Sequence, residues 1–534
     1  MGIEMTRRQA ALLLAEALVG APMMAAGARA PGAETPLAAG DKPAGPGAEP
    51  AAPVYIVLWF DTEDYILPAS DDAALRIADF LTQQGVRATF KVVGEKARVL
   101  ERRRRTDVIA ALARHEIGYH SNTHSQQPTP AVYESVLDWE AGAEEFDRRE
   151  RPGFDDLTRI FGRPPSCYGQ PGVSWAPQTY LALKKWGVNV YLDDGEQVQL
   201  DGKPFWYGGL LNIFHIDAGR QLEQNNDWSN LESAKANFKT LYTQISAEPQ
   251  GGVVSFMFHP TQLISEVFWD AVNFAQGANP PRSEWKIQPE CSPAQRERAF
   301  QYLEGLVSYA KSFPGVRFVT ASEAYILCRD EAQGRAFSSQ ELARIASQVK
   351  PGITFQVYEN YSLSASDIFY LLNRLVSHYV SNGSIGEVTL AHTPYGPASQ
   401  AYGVTMPAGA TKIGWSQFSR TAIDVSEFLT THRSIPNAVW MGSTAVTPEA
   451  YLLALAEATR AIVAGGRPPD FVTTLPAELA AAQYVAKDAP SIWEWPIFPP
   501  GFHSAHLMEL ARLQAWTIKP AILEAVGRHA AKNS

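Results

Sequence analysis

Residues 54–64, VYIVLWFDTED, give the clearest strand signal in this chain. The first seven of these residues are all apolar, as expected for a parallel strand that is buried on both faces of a sheet. The stretch then becomes acidic at Asp61, Glu63 and Asp64, where the strand should end. We therefore expect a cluster of carboxylates at the carboxyl end of a buried strand.

Strand and helix patterns alternate beyond this stretch. One predicted helix runs from about 71 to 84, and a second follows the strand 88–93 and ends at about 114. The predicted strands are 88–93, 116–119, 188–192, 211–214, 252–258 and 316–319. This alternation predicts an α/β fold with a parallel sheet, either open and doubly wound or closed as a barrel. In a barrel of parallel strands, active sites are built from side chains at the strand ends. Asp61, His120 and His259 all stand at such ends.

Two histidines, His120 and His124, follow a predicted strand in the sequence HSNTH. If this segment turns helically, the four-residue spacing places both imidazoles on one face, close enough to share a metal ion. A catalytic zinc site commonly combines two histidines with a carboxylate and leaves one position open for water. The acidic cluster after the first strand offers that carboxylate. The sequence therefore predicts a divalent metal site, with zinc as the expected ion.

These residues together resemble the polysaccharide deacetylase (NodB-homology) family. The resemblance rests on DTED at 61–64, on HSxxH at 120–124 and on the late His259, and it covers residues 54–330. It implies a distorted (β/α) barrel that removes acetyl groups from N-acetylated sugars or peptidoglycan. By resemblance, Asp61 is the catalytic base and His259 is the general acid.

The same resemblance assigns the metal ligands. His120 and His124 take that role from the two histidines of HSxxH. The carboxylate ligand of the family lies one or two positions after the start of the acidic motif. Glu63 matches the family members that have a D-x-D spacing, and Asp64 is the alternative.

The chain departs from the family on a middle loop. The family usually has an Arg followed by Pro-Tyr-Gly there, and the Arg orients the base. Residues 164–172 of this chain read PPSCYGQPG, so that Gly169 or Gln170 stands at the arginine position. The departure indicates a divergent branch and leaves the substrate open.

Three further residues are candidates for contact with the substrate. Asp194 and His215 follow predicted strands, where they would orient the catalytic histidine or line the cleft; a satisfied core histidine is the alternative for His215. Trp175 is a candidate for stacking on a sugar ring, and core packing is its alternative.

The first 53 residues have the pattern of an export segment. Arg7-Arg8, an apolar run over 10–24 and the small residues 26–28 predict a twin-arginine-like signal over 1–30, with an uncleaved membrane anchor as the alternative. Residues 31–53 are rich in Pro, Ala and Gly and predict a flexible linker. The expected location is the periplasm or the cell surface.

The pattern changes again after about residue 334. Residues 335–534 predict a mainly helical C-terminal module with two degenerate repeats, because Tyr370-Leu371-Leu372 recurs as Tyr451-Leu452-Leu453. Binding of a cell-wall polymer or another glycan is the expected role. The aromatic segment 493–502 is interpreted as packing between domains, with a glycan-stacking surface as the alternative.

Composition limits the range of functions. A formal net charge of -10 and a pI near 5.7 give no basic field for phosphates, which excludes nucleic acid as an expected partner. Three cysteines, Cys167, Cys291 and Cys328, have no zinc-ligand spacing. The expected function is metal-dependent removal of acetyl groups from a cell-envelope or extracellular polysaccharide. The alternatives are a hydrolase of another C–N bond in an N-acylated small molecule, and a glycan-binding protein with a decayed site.

Overall fold

The computed structural model describes residues 52–193, 195–214, 228–401, 404, 409–465 and 467–523. The predicted export signal and almost all of the predicted linker lie outside the described residues, so both stay predictions. Within the described residues, no helix is both long and apolar enough to cross a membrane.

The centre of the molecule is a ten-stranded sheet, counted over the described residues. Its strands are β1 (Val54–Thr62), β2 (Thr89–Val92), β3 (Glu116–Tyr119), β4 (Cys167–Tyr168), β5 (Val190–Asp193), β6 (Phe205–Tyr207), β7 (Leu210–Phe214), β8 (Gly252–Phe258), β9 (Val316–Val319) and β20 (Lys519–Pro520). Every residue of β1 is buried, as its apolar run predicts.

The sheet is curved and distorted, and its order is β20-β6-β7-β5-β4-β3-β2-β1-β8. Neighbours from β7 to β8 are parallel, whereas β6 and β20 are antiparallel additions at one end. One edge of β1 is shared, because its first residues pair with β9 and its last residues pair with β2. The predicted distorted (β/α) barrel is confirmed.

Helices connect these strands and build the rest of the molecule. In the barrel part they are Ala69–Gln83, Gly94–Arg102, Thr106–Leu112, Pro130–Glu134, Trp139–Phe161, Thr179–Lys185, Leu231–Ser246, Ala271–Phe274, Pro293–Lys311 and Ala321–Leu327. In the C-terminal part they are Ser339–Gln348, Ala365–Asn382, Trp415–His432, Pro448–Gly465 and Ala505–Gln514. The helix predicted from about 71 to 84 therefore begins two residues earlier than expected.

Short strands accompany the C-terminal helices in two-stranded pairs. They are β10 (Ala336–Phe337), β11 (Gly352–Ile353), β12 (Gln356–Val357), β13 (Ser362–Leu363), β14 (Val388–Thr389), β15 (Thr411–Gly414), β16 (Val439–Met441), β17 (Thr444–Val446), β18 (Phe471–Thr474) and β19 (Glu478–Leu479). The predicted mainly helical character of this part is confirmed.

The register of the parallel strands brings the predicted site residues to one edge of the sheet. Asp61 on β1 lies directly opposite Lys91 on β2. Phe60 lies opposite Phe258, so the chain leaves β8 at His259 beside Asp61. Tyr119 pairs with Tyr168, so that His120 and Gly169 leave their strands side by side.

Buried apolar side chains form two large clusters. The first contains side chains of the sheet and of the barrel helices, and the second collects side chains between residues 332 and 472 together with Trp516. Residues 485–518 then return to the first cluster through Ile492, Trp493, Phe498 and Ile518. The predicted division of the chain at residues 330–335 stays a prediction. The aromatic segment is largely packed, in agreement with the interpretation favoured from its sequence.

Candidate active site

Three buried side chains converge at the carboxyl ends of β1 and β3. Glu63 Oε2 lies 2.7 Å from His124 Nε2 and 3.2 Å from His120 Nε2. The other carboxylate oxygen, Oε1, accepts a hydrogen bond of 2.8 Å from Trp269 Nε1. The trio is therefore held from behind while one oxygen and two nitrogens face a common point.

Hydrogen bonds on the far side of each imidazole determine which nitrogen carries the proton. His120 Nδ1 lies 3.0 Å from the Gly169 carbonyl, which only accepts, so Nδ1 is the protonated nitrogen. His124 Nδ1 lies 2.6 Å from Ser125 Oγ, whose hydroxyl donates to Asp270 Oδ2. In both neutral rings, Nε2 is left with its lone pair toward Glu63. His124 Nε2 has no hydrogen-bond partner among the described residues.

Burial keeps this trio free of positive charge. It lowers the pKa of His120 well below the ordinary range, and it lowers the pKa of His124 to about 4. It raises the pKa of Glu63 to about 8, an effect opposed by His259 and reinforced by Asp61. Two imidazole lone pairs and one carboxyl oxygen of Glu63 that face one another form a donor set that could hold a cation. This donor set fits a zinc ion.

The segment that carries both histidines is a loop and not the helical turn that was predicted. Ser121 and His124 adopt left-handed backbone angles, with φ of 64° and 54°. Such angles cost about 1–3 kcal/mol in residues other than glycine and persist where the surroundings enforce them. The rings nevertheless meet, with centroids 5.0 Å apart. The prediction of a shared site is kept, but its geometric reason was wrong.

Of the two carboxylates proposed as metal ligand, only Glu63 belongs to the trio. Both oxygens of Asp64 are engaged elsewhere: they accept hydrogen bonds from Ile66 N, Leu67 N, Thr261 Oγ1 and Gln288 Nε2. Asp64 therefore organises the turn after β1 and ties it to the loop that follows β8.

Asp61 and His259 lie beside the trio. Asp61 Oδ2 lies 3.7 Å from His259 Nε2, and Asp61 Oδ1 lies 3.6 Å from His120 Nε2. His259 Nδ1 is 3.1 Å from Gln262 Oε1, which directs Nε2 toward the carboxylate. The His259 side chain is 14% exposed, and Asp61 is 4% exposed. A buried carboxylate and an imidazole with limited access to solvent are thus paired in the same place.

Two aromatic side chains, Trp495 and Phe268, border the histidines of the site. Trp495 packs edge-on against His124, with ring centroids 5.6 Å apart. A Cβ at position 172 would overlap the Trp495 ring, so Gly172 permits this approach. Phe268 packs edge-on against His259 at 5.1 Å. The site is therefore walled in part by the C-terminal segment.

Within the described part of the chain, none of the three residues predicted to contact the substrate is seen at the site. Trp175 is 1% exposed and packs in the first core against Tyr180 and Tyr207, so the stacking surface expected there is not formed. Asp194 and His215 lie outside the described residues.

No protein-family model and no curated protein matches the sequence. Solved structures do match. A protein from Mycobacterium smegmatis described as a polysaccharide deacetylase is 16% identical over 53% of this chain and 93% of its own, with a TM-score of 0.35. Puue allantoinase is 16% identical over 53% of this chain and 92% of its own, with a TM-score of 0.33. A CE4 family pseudoenzyme from Bacillus anthracis is 12% identical over 51% and 65%, with a TM-score of 0.27.

The chain resembles the polysaccharide deacetylases. These likenesses concern the fold of about half of the chain. The chemistry follows from the side chains of this deacetylase-like barrel itself.

Several residues around the site were missed from the sequence. Lys91 lies between Asp61 and Asp193, while Trp269 bonds to Glu63 and Asp270 bonds to Ser125 beside His124. A lysine within the apolar strand ATFKVV was a usable signal, since a buried lysine requires an acidic partner. Trp269 and Asp270 gave no such signal, because their distance from Glu63 along the chain hides the contact.

Proposed function

We propose that the chain is a metal-dependent hydrolase that removes acetyl groups from an N-acetylated cell-envelope or extracellular glycan. The observation that carries the proposal is the convergence of Glu63 Oε2 with two imidazole nitrogens whose opposite ring nitrogens are already hydrogen-bonded. Asp61 and His259 face each other beside this trio. A protein that only binds glycan has no need for such a set.

The metal site of the proposal consists of Glu63, His120 and His124. These residues would hold a divalent ion, with zinc as the expected one. When bound, such an ion activates water and polarises a carbonyl group. Trp269 fixes the carboxylate, and the Ser125–Asp270 pair fixes the tautomer of His124. These outer contacts keep the ligands oriented.

Asp61 and His259 perform the proton transfers. Asp61 is the base that accepts the proton of the attacking water. His259 is the acid that protonates the departing amine, since an amine leaves poorly as an anion. The 3.7 Å between Asp61 Oδ2 and His259 Nε2 puts both groups within reach of one scissile amide.

Metal analysis of protein purified without an affinity tag, followed by an amine-release screen, tests the proposal. We expect about one zinc ion per chain and release of amine from N-acetylated oligosaccharides, with loss of activity on chelation and recovery on addition of zinc. Protein that holds zinc but releases no amine from any N-acetylated substrate would contradict it.

A second candidate is hydrolysis of a C–N bond in an N-acylated small molecule. The observation in its favour is the limited access to the site, where Asp61 and the metal-ligand trio are almost fully buried and Trp495 and Phe268 border the histidines. A comparison of an N-acetylated oligosaccharide with small linear and cyclic amides separates the two. A higher kcat/KM for the small amides would favour the second candidate.

We also propose a location and a binding partner for the protein. We place the protein in the periplasm or at the cell surface because of Arg7-Arg8 and the apolar run that follows. A role of the module from residue 335 in binding cell-wall polymer is likewise proposed, supported by its repeated Tyr-Leu-Leu pattern. Sedimentation of the protein with purified cell wall tests this role.

A further inference from the structure

Lys91 occupies an unusual place in the molecule. It stands in the middle of β2, directly opposite Asp61 in the register of the sheet, and its side chain is fully buried. Its Nζ lies 3.0 Å from Asp61 Oδ1 and 2.5 Å from Asp193 Oδ2. The ammonium also lies 4.0 Å from the centre of the Trp59 ring. One buried cation thus holds two carboxylates from β1 and β5.

The charge of Lys91 is maintained in this place. Burial by itself lowers the pKa of an ammonium, but Asp193 and Asp61 outweigh that effect, so the pKa of Lys91 lies above its ordinary value. Removal of the ammonium would leave two buried carboxylates near each other without a counter-ion, which is unfavourable. Asp61 would then lose the ion pair between its Oδ1 and Lys91.

The absence of a side chain at position 169 explains how Lys91 reaches this place. A Cβ there would overlap Lys91 Nζ and Asp193 Oδ2. Gly169 is one of the two positions at which the resemblance expects the arginine that orients the base. In this chain, Lys91 on β2 instead puts its ammonium group into the space that a side chain of residue 169 would enter. The Gly169 carbonyl meanwhile accepts from His120.

We propose that Lys91 is a positioning residue, which holds the Asp61 carboxylate in its orientation toward His259 and replaces the arginine of the family's middle loop. The inference rests on the proposed function, in which Asp61 is the base. Lys91 would not touch the substrate, because it is fully buried behind Asp61.

A charge-matched pair of variants tests the inference. Lys91→Met leaves two carboxylates unpaired and is expected to lower both thermal stability and kcat. Lys91→Met/Asp193→Asn removes one positive and one negative charge. The thermal stability should therefore recover relative to Lys91→Met, and the zinc content should equal that of the unmodified protein. We expect kcat of the double variant to remain about 100-fold low with little change in KM, because a misplaced catalytic group costs about that much. Asp193→Asn alone keeps the Lys91–Asp61 contact and should lose much less.

Recovery of kcat in the double variant would overturn the inference, since Lys91 would then only balance the charge of Asp193. A second readout does not depend on activity. In a crystal structure of the double variant, the Asp61 carboxylate should rotate away from His259, whereas an unchanged orientation would overturn the inference. If the unmodified protein binds zinc but hydrolyses no amide, the proposed function fails, and the orientation of Asp61 still decides the role of Lys91.

Discussion

At the scale of single residues, the site depends on hydrogen bonds that lie behind its reactive atoms. Ser125 connects His124 Nδ1 to Asp270, and the Gly169 carbonyl holds His120 Nδ1. Each bond selects one tautomer and leaves Nε2 available. The outer residues thus decide what the inner residues can bind.

We predict that Ser125→Ala weakens zinc binding by about 10–100-fold while the fold is retained, because His124 loses the contact that fixes its tautomer. The affinity can be measured by competition with a chromophoric chelator, with circular dichroism as the check on folding. Ser135→Ala, a change of the same size on the helix-ending turn after Glu134, is the control. Equal zinc affinity in all three proteins would show that the Ser125–Asp270 pair does not orient the ligand.

The roles of Asp61 and His259 can be separated by the leaving group. His259→Ala should reduce hydrolysis of an amide by about 100-fold or more, but of an activated acetyl ester far less, because the ester leaving group needs no proton. Asp61→Asn should depress both reactions alike, since both require activated water. Both variants are compared on one amide and one ester by kcat/KM. Equal losses on both substrates for both variants would contradict the assignment.

At the scale of elements, the register of parallel strands assembles the site. β1, β2 and β8 put Asp61, Lys91 and His259 side by side, although 168 positions separate the last two in the sequence. The loops after β3 and β4 add His120 and Gly169. Because all these residues stand at or near one edge of the sheet, any slip of register would disperse them.

The sequence predicts the longer strands of the fold better than the two-residue strands. β8 and β9 coincide with their predicted ranges, because their sequences, GVVSFMF and VRFV, are rich in β-branched and aromatic residues. β4 and β20 were missed, since two residues carry no periodic signal, and β20 pairs with β6 across some 300 positions. The histidine pair was predicted from spacing, but the left-handed loop that presents it has no signature in HSNTH.

Trp495 belongs to an element that reaches the site from far along the chain. Trp495→Ala should open the wall beside His124 and raise kcat/KM for an oligosaccharide relative to a small acetamide by about 10-fold. The exposed Trp440 supplies the matched control, Trp440→Ala. The same substrate ratio in all three proteins would show that Trp495 does not restrict access.

At the scale of the whole molecule, residues 485–520 belong to the barrel part of the fold. Ile492, Trp493, Phe498 and Ile518 are buried in the first core, and β20 extends the central sheet. Lys519 on β20 forms buried ion pairs with Asp330 and Asp367. The chain thus forms the first cluster, then the second, and then returns to the first.

A chain that ends near residue 475 should therefore lose the cooperative unfolding of the intact protein or melt at least about 10 °C lower, because apolar groups of the first core become exposed. Calorimetry of the shortened chain provides the measurement, and a chain that lacks only residues 1–30 is the control. An unchanged melting temperature of the shortened chain would contradict the role given to the C-terminal segment.

Elemental analysis of variants shows whether Glu63, His120 and His124 form a metal site. His120→Ala and His124→Ala are compared with the unmodified protein and with His378→Ala, a histidine near the end of the helix Ala365–Asn382. We predict about one zinc ion per chain in the unmodified protein and in the control, and almost none in either site variant, all four with the same circular dichroism spectrum. Equal metal content in all four proteins would contradict the claim.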